Sequence, residues 1–294
     1  MQLWKKSEFR PAFVYARRLT KEYSKSFYMS SQLFPRNIRW ATYTVYGFCR
    51  YVDNLADNPR HRSNKELLNE VNCFERELKI AYRTGESEHP ILKSFIPVMK
   101  QYHIPLKYPL DLINGVRMDI MPLVYETFDD LYLFCYRVAS VVGLMMTHIM
   151  GYSDDSAFIY AEKLGIAMQL TNILRDVQED KDMNRIYIPR AEMQRFGVAE
   201  HDIIYERFSE NVRRLIHYQV ERAHQYYEEA QPGIRLLSPH SRFAIYSASR
   251  IYRGILYKLE HRNYNPFLGR VFVPGSQKMQ ILAREYVKTK LRYT

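Results

Sequence analysis

The chain has 294 residues, in which 43 Lys and Arg against 32 Asp and Glu give a net charge of +11. That length holds one large domain or two small ones, and the apolar and aromatic content is ample for a core. Three cysteines, Cys49, Cys73 and Cys135, have no metal-like spacing, and their odd number argues against a disulfide framework. Core thiols in a reducing, cytoplasmic setting are expected. The opening MQLWKKSEFR lacks the apolar centre of a signal peptide, and no run approaches the roughly 20 apolar residues of a spanning helix. The positive charge asks for an anionic partner. Basic residues are dispersed and no nucleic-acid motif is present, so diphosphates or an anionic membrane surface account for the charge without nucleic acid.

Helical periodicity dominates, strand-like alternation is scarce, and neither a solenoid repeat nor a low-complexity linker is visible, so a single all-α domain over 1–294 is expected. Residues 9–33 read as two helical pieces that place Phe27 and Ser31 on one face, with Pro35 as the stop. The next helix, 38–55, carries Tyr46, Arg50, Asp53 and Asp57 on adjoining turns before Asn58-Pro59. Residues 63–84 form a charged amphipathic helix ending at Gly85. Residues 90–100 and 106–121 follow, broken by Pro97, Pro105 and Pro109. The most apolar helix is 128–150, where Ala139, Ser140 and Gly143 sit between large residues in a pattern of tight packing; His148 on it reads as a core histidine. After an aspartate-rich helix and an extended RIYIP, residues 203–230 are amphipathic, and 242–262 is the last major helix.

The aspartate-rich stretch reads QLTNILRDVQEDKDMNRIYIP over 169–189. Gln169, Asn172, Asp176 and Asp180 recur at three and four residues, one polar stripe on a helix, and Leu170, Ile173, Leu174 and Val177 flank it with apolar surface. Carboxylates one turn apart repel, and a divalent cation removes that penalty. Spacing alone also allows a solvated acidic face. The second pair, Asp53 and Asp57, shifts the balance: each pair has an Arg three residues before an Asp or beside it, Arg50 and Arg175. Together they read as two halves of a magnesium and diphosphate site, since Mg²⁺ takes hard oxygen ligands from carboxylates and phosphates.

Six segments come in one order: SKSFY (24–28), the first aspartate segment, NGVRMD (114–119), YRVASVVG (136–143), the second aspartate segment through Arg185, Tyr187 and Pro189, and ASRIYRGIL (248–256). In these the chain resembles the squalene and phytoene synthases over nearly its whole length. The resemblance implies an isoprenoid synthase helical bundle around a central apolar cavity. It implies Mg²⁺, more than one ion and with Mn²⁺ as an alternative, held by Asp53, Asp57, Asn172, Asp176 and Asp180, with Tyr46 and Arg50 among the catalytic groups. It assigns diphosphate binding to Ser26, Arg50, Gln169, Arg175, Tyr252 and Arg270. Phe27, Ser31, Phe134, Ala139, Val142 and Gly143 would line the prenyl tunnel. Two departures stand out: Asn54 replaces an acidic residue common after the first Asp, and Phe134 replaces a Tyr usual before the Cys.

The implied reaction is head-to-head (1′–1) coupling of two identical prenyl diphosphates through a cyclopropylcarbinyl diphosphate. Small Ser31, one turn past Phe27, and the FYMSS segment favour two geranylgeranyl diphosphates giving phytoene. The alternative is two farnesyl diphosphates giving presqualene diphosphate and then dehydrosqualene, or squalene if NADPH supplies hydride. A terpene cyclase on one prenyl diphosphate and a non-catalytic relative are further readings; survival of all four aspartates argues against the second. A lipid product adds an expected peripheral contact with a membrane's cytoplasmic face.

Overall fold

The computed structural model describes residues 2–57, 62–121 and 124–291, the side chains at 25, 26, 57 and 289–291 excepted. Its helices in chain order are α1 (Arg10–Tyr23), α2 (Lys25–Ser31), α3 (Arg36–Asp57), α4 (Asn64–Thr84), α5 (Leu92–Gln101), α6 (Lys107–Ile120) and α7 (Phe128–Cys135). They continue as α8 (Val141–Met150), α9 (Ala157–Asp182), α10 (Arg190–Arg195), α11 (Glu200–Ile204), α12 (Glu210–Ala230), α13 (Pro239–Glu260) and α14 (Gly275–Leu291). Among the described residues there is no strand, only an isolated antiparallel bridge between Tyr152 and Leu237. The all-α expectation holds.

Local chemistry sets most boundaries. The Ser63 hydroxyl accepts from the Glu66 amide while the Glu66 carboxylate accepts from the Ser63 amide at 2.8 Å, a reciprocal cap that starts α4. Gly85 ends it at φ 89°, where a Cβ would be strained. The Asn58-Pro59 stop lies outside the described residues. Pro97 does not break its helix as expected: α5 runs through it. Proline forfeits one backbone hydrogen bond there, and buried Phe95, Ile96, Val98 and Met99 on both sides hold the turn. Pro109 lies in the first turn of α6, where its missing N–H has no helical partner to lose.

Three further expectations change. The single helix over 128–150 is α7 and α8 joined by a π-turn at Tyr136–Ser140. By length and composition Phe128–Met150 could cross a membrane, with mean hydropathy 1.5, so the expectation that no stretch approaches that limit is corrected; 56% of its apolar window is buried in protein, as in a core helix. The helix over 203–230 starts later, because Glu206 takes φ 53° and Ser209 caps α12 through the Val212 amide. Helix α14 was not foreseen. Its inward side offers Glu285 as the buried group with Ile281 and Leu282 only half-buried, too thin a stripe to read.

The chain divides into two compact units, each built from three stretches. The first comprises Met1–Met121, Val141–Phe158 and Leu236–Ala244. Its hub is α3, which packs on α1, α4, α5, α6 and α8. Phe48 and Val52 are fully buried on it, and Phe48 stacks on Phe95 at 4.1 Å. Gly47 lets α1 approach, its missing Cβ lying 3.2 Å from that of Ala16. The second unit comprises Pro122–Ser140, Ile159–Arg235 and Ile245–Thr294. Within it, Thr171 of α9 meets the Tyr227 hydroxyl of α12 at 3.0 Å, and Arg253 of α13 donates to His224 of α12 at 2.8 Å. The end of RIYIP is tied by Arg190 and Ala191 amides to the carbonyls of Tyr125 and Glu126.

Candidate active site

In the first unit the site residues lie on one stripe of α3. The Phe27 ring of α2 stacks on Tyr46 at 5.0 Å, and the Tyr23 ring at the end of α1 lies 4.6 Å from the Arg50 guanidinium. Burial pushes the Tyr46 phenol up, against the opposing pull of Arg50 and of a hydrogen bond with Ser24, so it is a neutral hydrogen-bond donor at working pH. Asp53 is half-buried next on the stripe. Asp57 ends α3, and its side chain, like that of Ser26, lies outside the described residues.

In the second unit α9 presents Gln169, Asn172, Arg175, Asp176 and Asp180 half-buried, while Leu170, Ile173, Leu174 and Val177 are buried. The solvated-face alternative therefore fails at Asp176, whose side chain is 16% exposed, and describes only Asp182 at 68% and Glu179 at 49%. The Arg175 Nε donates to Asp176 at 2.8 Å, and Arg270, ninety-odd residues on, pairs with Asp176 at 3.2 Å and with Glu179 at 3.1 Å. Burial lowers the Arg175 pKa, but its bonds to Asp176 and the nearby Tyr252 and Glu179 outweigh that and hold it above its ordinary value. Tyr252 and Arg270 are thus brought to the second aspartate helix. The loop carrying Arg270 is fastened by the Gly269 amide, which donates to Gln178 at 3.1 Å. Asp180 lines a small open pocket with Ile173, Val177, Arg185, Tyr187 and Ile203.

The donors fit a divalent cation. The Asn172 amide donates to the Gln169 side-chain oxygen at 3.2 Å, and its own oxygen is buried and accepts no hydrogen bond among the described residues. A bare, oriented amide oxygen beside carboxylates is a hard ligand set suited to Mg²⁺. Among the described residues no three His, Cys, Asp or Glu side chains cluster as a metal site.

Of the expected tunnel residues, Ala139 in the π-turn and Val142 and Gly143 on α8 are half-buried, and Phe27 is half-buried. Ser31 is 1% exposed, its hydroxyl donating to the Tyr28 carbonyl at 2.6 Å. Phe134 is enclosed by the rings of Tyr187 at 5.1 Å and Tyr125 at 5.5 Å. The neighbouring phenol of Tyr132 is committed to Glu162, and burial with that carboxylate raises its pKa. Sequence reasoning missed Tyr23, which closes α1 while Phe27 lies on α2 beyond the Ser24 break, so no single-helix periodicity signals it.

The family described as squalene/phytoene synthase matches residues 20–277. A 15-cis-phytoene synthase of Synechococcus elongatus is 35% identical over 280 residues, 91% of this chain and 90% of that one. The crystal structure of a dehydrosqualene synthase in complex with ligand superposes with a TM-score of 0.88 at 31% identity, covering 96% of this chain and 98% of the other. A squalene synthase from Alicyclobacillus acidocaldarius superposes with a TM-score of 0.83 at 30% identity, covering 89% and 98%.

Proposed function

From the premise that the chain belongs to the squalene/phytoene synthase family and is a prenyltransferase with the isoprenoid synthase helical fold, we propose that it joins two geranylgeranyl diphosphates head-to-head, through prephytoene diphosphate, to phytoene. The observation that carries the diphosphate chemistry is the Asn172–Asp176 turn of α9, where a bare amide oxygen lies one turn from a carboxylate gripped by Arg175 and Arg270. The phytoene synthase relative supports the forty-carbon product.

In this reading the chain 1–294 acts as a single domain, consistent with its passing repeatedly from one unit to the other. Asp53, Asp57, Asn172, Asp176 and Asp180 would hold Mg²⁺, which supplies charge neutralisation of the leaving diphosphate. Arg50, Arg175 and Arg270 bind diphosphate oxygens with planar forks, Ser26, Gln169 and Tyr252 complete the binding set, and Tyr46 donates a hydrogen bond. While Asp176 is held by two guanidinium groups its charge is balanced; diphosphate offers those arginines a second anion and frees the carboxylate. The half-buried apolar residues Phe27, Ala139, Val142 and Gly143, together with Phe134, would exclude water from an allylic cation. Proton loss then ends the reaction without NADPH. The net charge of +11, with exposed Leu268 and Phe272 flanking Arg270 in sequence, supports a peripheral seat on an anionic, cytoplasmic membrane face.

The dehydrosqualene synthase likeness favours a second reading, two farnesyl diphosphates to a thirty-carbon product. Ser31 separates them: Ser31→Phe, and the smaller step Ser31→Leu, should shift preference toward farnesyl diphosphate, and an unchanged preference in both would refute a chain-length floor there. Asp176→Asn should abolish Mg²⁺-dependent binding of inorganic pyrophosphate measured by calorimetry; retained binding would refute the α9 site.

A further inference from the structure

We propose that Tyr23 is a positioning residue for Arg50: its ring face holds the guanidinium in the plane from which it grips diphosphate. The inference rests on the proposed role of Arg50. The joint between α1 and α2 supplies the geometry. Ser24 leaves the helical region at φ −144°, ψ 85°, caps α2 by accepting from the Phe27 amide, and contacts the Tyr46 phenol. This corner lays two rings along one turn of α3. Phe27 stacks on Tyr46 at 5.0 Å with 24° between planes, and Tyr23 covers Arg50 at 4.6 Å.

A planar cation stacked on a ring keeps its N–H donors in its own plane, directed past the ring edge. The contact thus fixes the tilt of the fork without consuming the donors that a diphosphate needs. A long, rotamer-rich side chain is thereby preorganised before substrate arrives. Tyr23 is 48% exposed, so its ring contributes little to the core, and its placement over a cation is what distinguishes it from a surface tyrosine.

The test is calorimetric titration of the full chain with inorganic pyrophosphate and Mg²⁺, with kcat and KM measured alongside, in Tyr23→Phe, Tyr23→Leu, Arg50→Ala and the double variant. Tyr23→Phe should bind within about twofold of the parent, and Tyr23→Leu about 3- to 10-fold more weakly, with KM raised more than kcat is lowered. In the Arg50→Ala background the Tyr23→Leu loss should vanish, because the ring acts through the cation. Tyr23→Gln repeats the measurement if Tyr23→Leu melts early. Unaltered binding in Tyr23→Leu, an equal loss in Tyr23→Phe, or an undiminished loss in the Arg50→Ala background would each overturn the inference. Full binding in Arg50→Ala alone would instead overturn the role of Arg50, and this inference with it.

Discussion

Gly165 sits one turn before Gln169 on α9, and its replacement by alanine is the sharpest structural perturbation available near the site. A Cβ there would lie 2.4 Å from the Ser140 Cα and 2.7 Å from its nitrogen, where ordinary contacts begin at 3.4 Å. Both are backbone atoms of the π-turn, so no rotamer change relieves the clash. The Ser140 hydroxyl also donates to the Glu162 carbonyl at 2.7 Å, which pins the turn against α9. The two segments must part by about 1 Å in a densely packed interior, an overpacking cost of about 1–3 kcal/mol. For a chain of this size that is a fall in Tm of about 2–5 °C. Calorimetry or circular dichroism measures it, and initial rates report whether the displaced Gln169–Asp176 stripe still works. Ser140→Ala removes the hydroxyl but leaves Cα and nitrogen, so Ser140→Ala/Gly165→Ala should stay as unstable as Gly165→Ala. Restored stability in the double variant, or no loss in Gly165→Ala, would refute the backbone clash.

Glu75 is buried enough to raise its pKa, but hydrogen bonds from Lys79 and Arg117 outweigh that and hold it below its ordinary 4.5. A depressed carboxylate contributes stability above about pH 4.5 that is lost as pH falls through the folded value. Glu75→Gln should therefore melt lower than the parent at pH 7, with the gap closing below pH 4.5; a gap constant down to pH 3 would refute the linkage. Ser63→Ala removes the α4 cap, at about 1 kcal/mol and about 2 °C in Tm, whereas Ser63→Asp, another capping residue, should retain stability. An equal fall in both would refute a role for the cap.

The helical class and most boundaries were legible because they follow from periodicity and from caps at Ser63 and Gly85. Pro97 misled because burial of its neighbours outweighs one lost hydrogen bond, and α14 was missed because its inward stripe is thin. The α9 stripe was legible from spacing, and the buried flanks of Asp176 separate it from a solvated face. What spacing does not carry is pairing across the chain. Arg270 reaches Asp176 from beyond α13, and Tyr23 reaches Arg50 across the α1–α2 corner. Periodicity within one helix is silent on such contacts. Only the family resemblance pointed to Arg270; spacing and resemblance both singled out Asn172, and what they left out is that its side-chain oxygen is buried without a hydrogen bond among the described residues.

The central claim is tested most directly by the hydrocarbon the chain makes. Purified protein is incubated with geranylgeranyl diphosphate and Mg²⁺, without NADPH, and the organic extract is read by mass spectrometry beside a parallel incubation with farnesyl diphosphate. The account predicts a forty-carbon phytoene from the first. A thirty-carbon hydrocarbon from farnesyl diphosphate, with none from geranylgeranyl diphosphate, would contradict it.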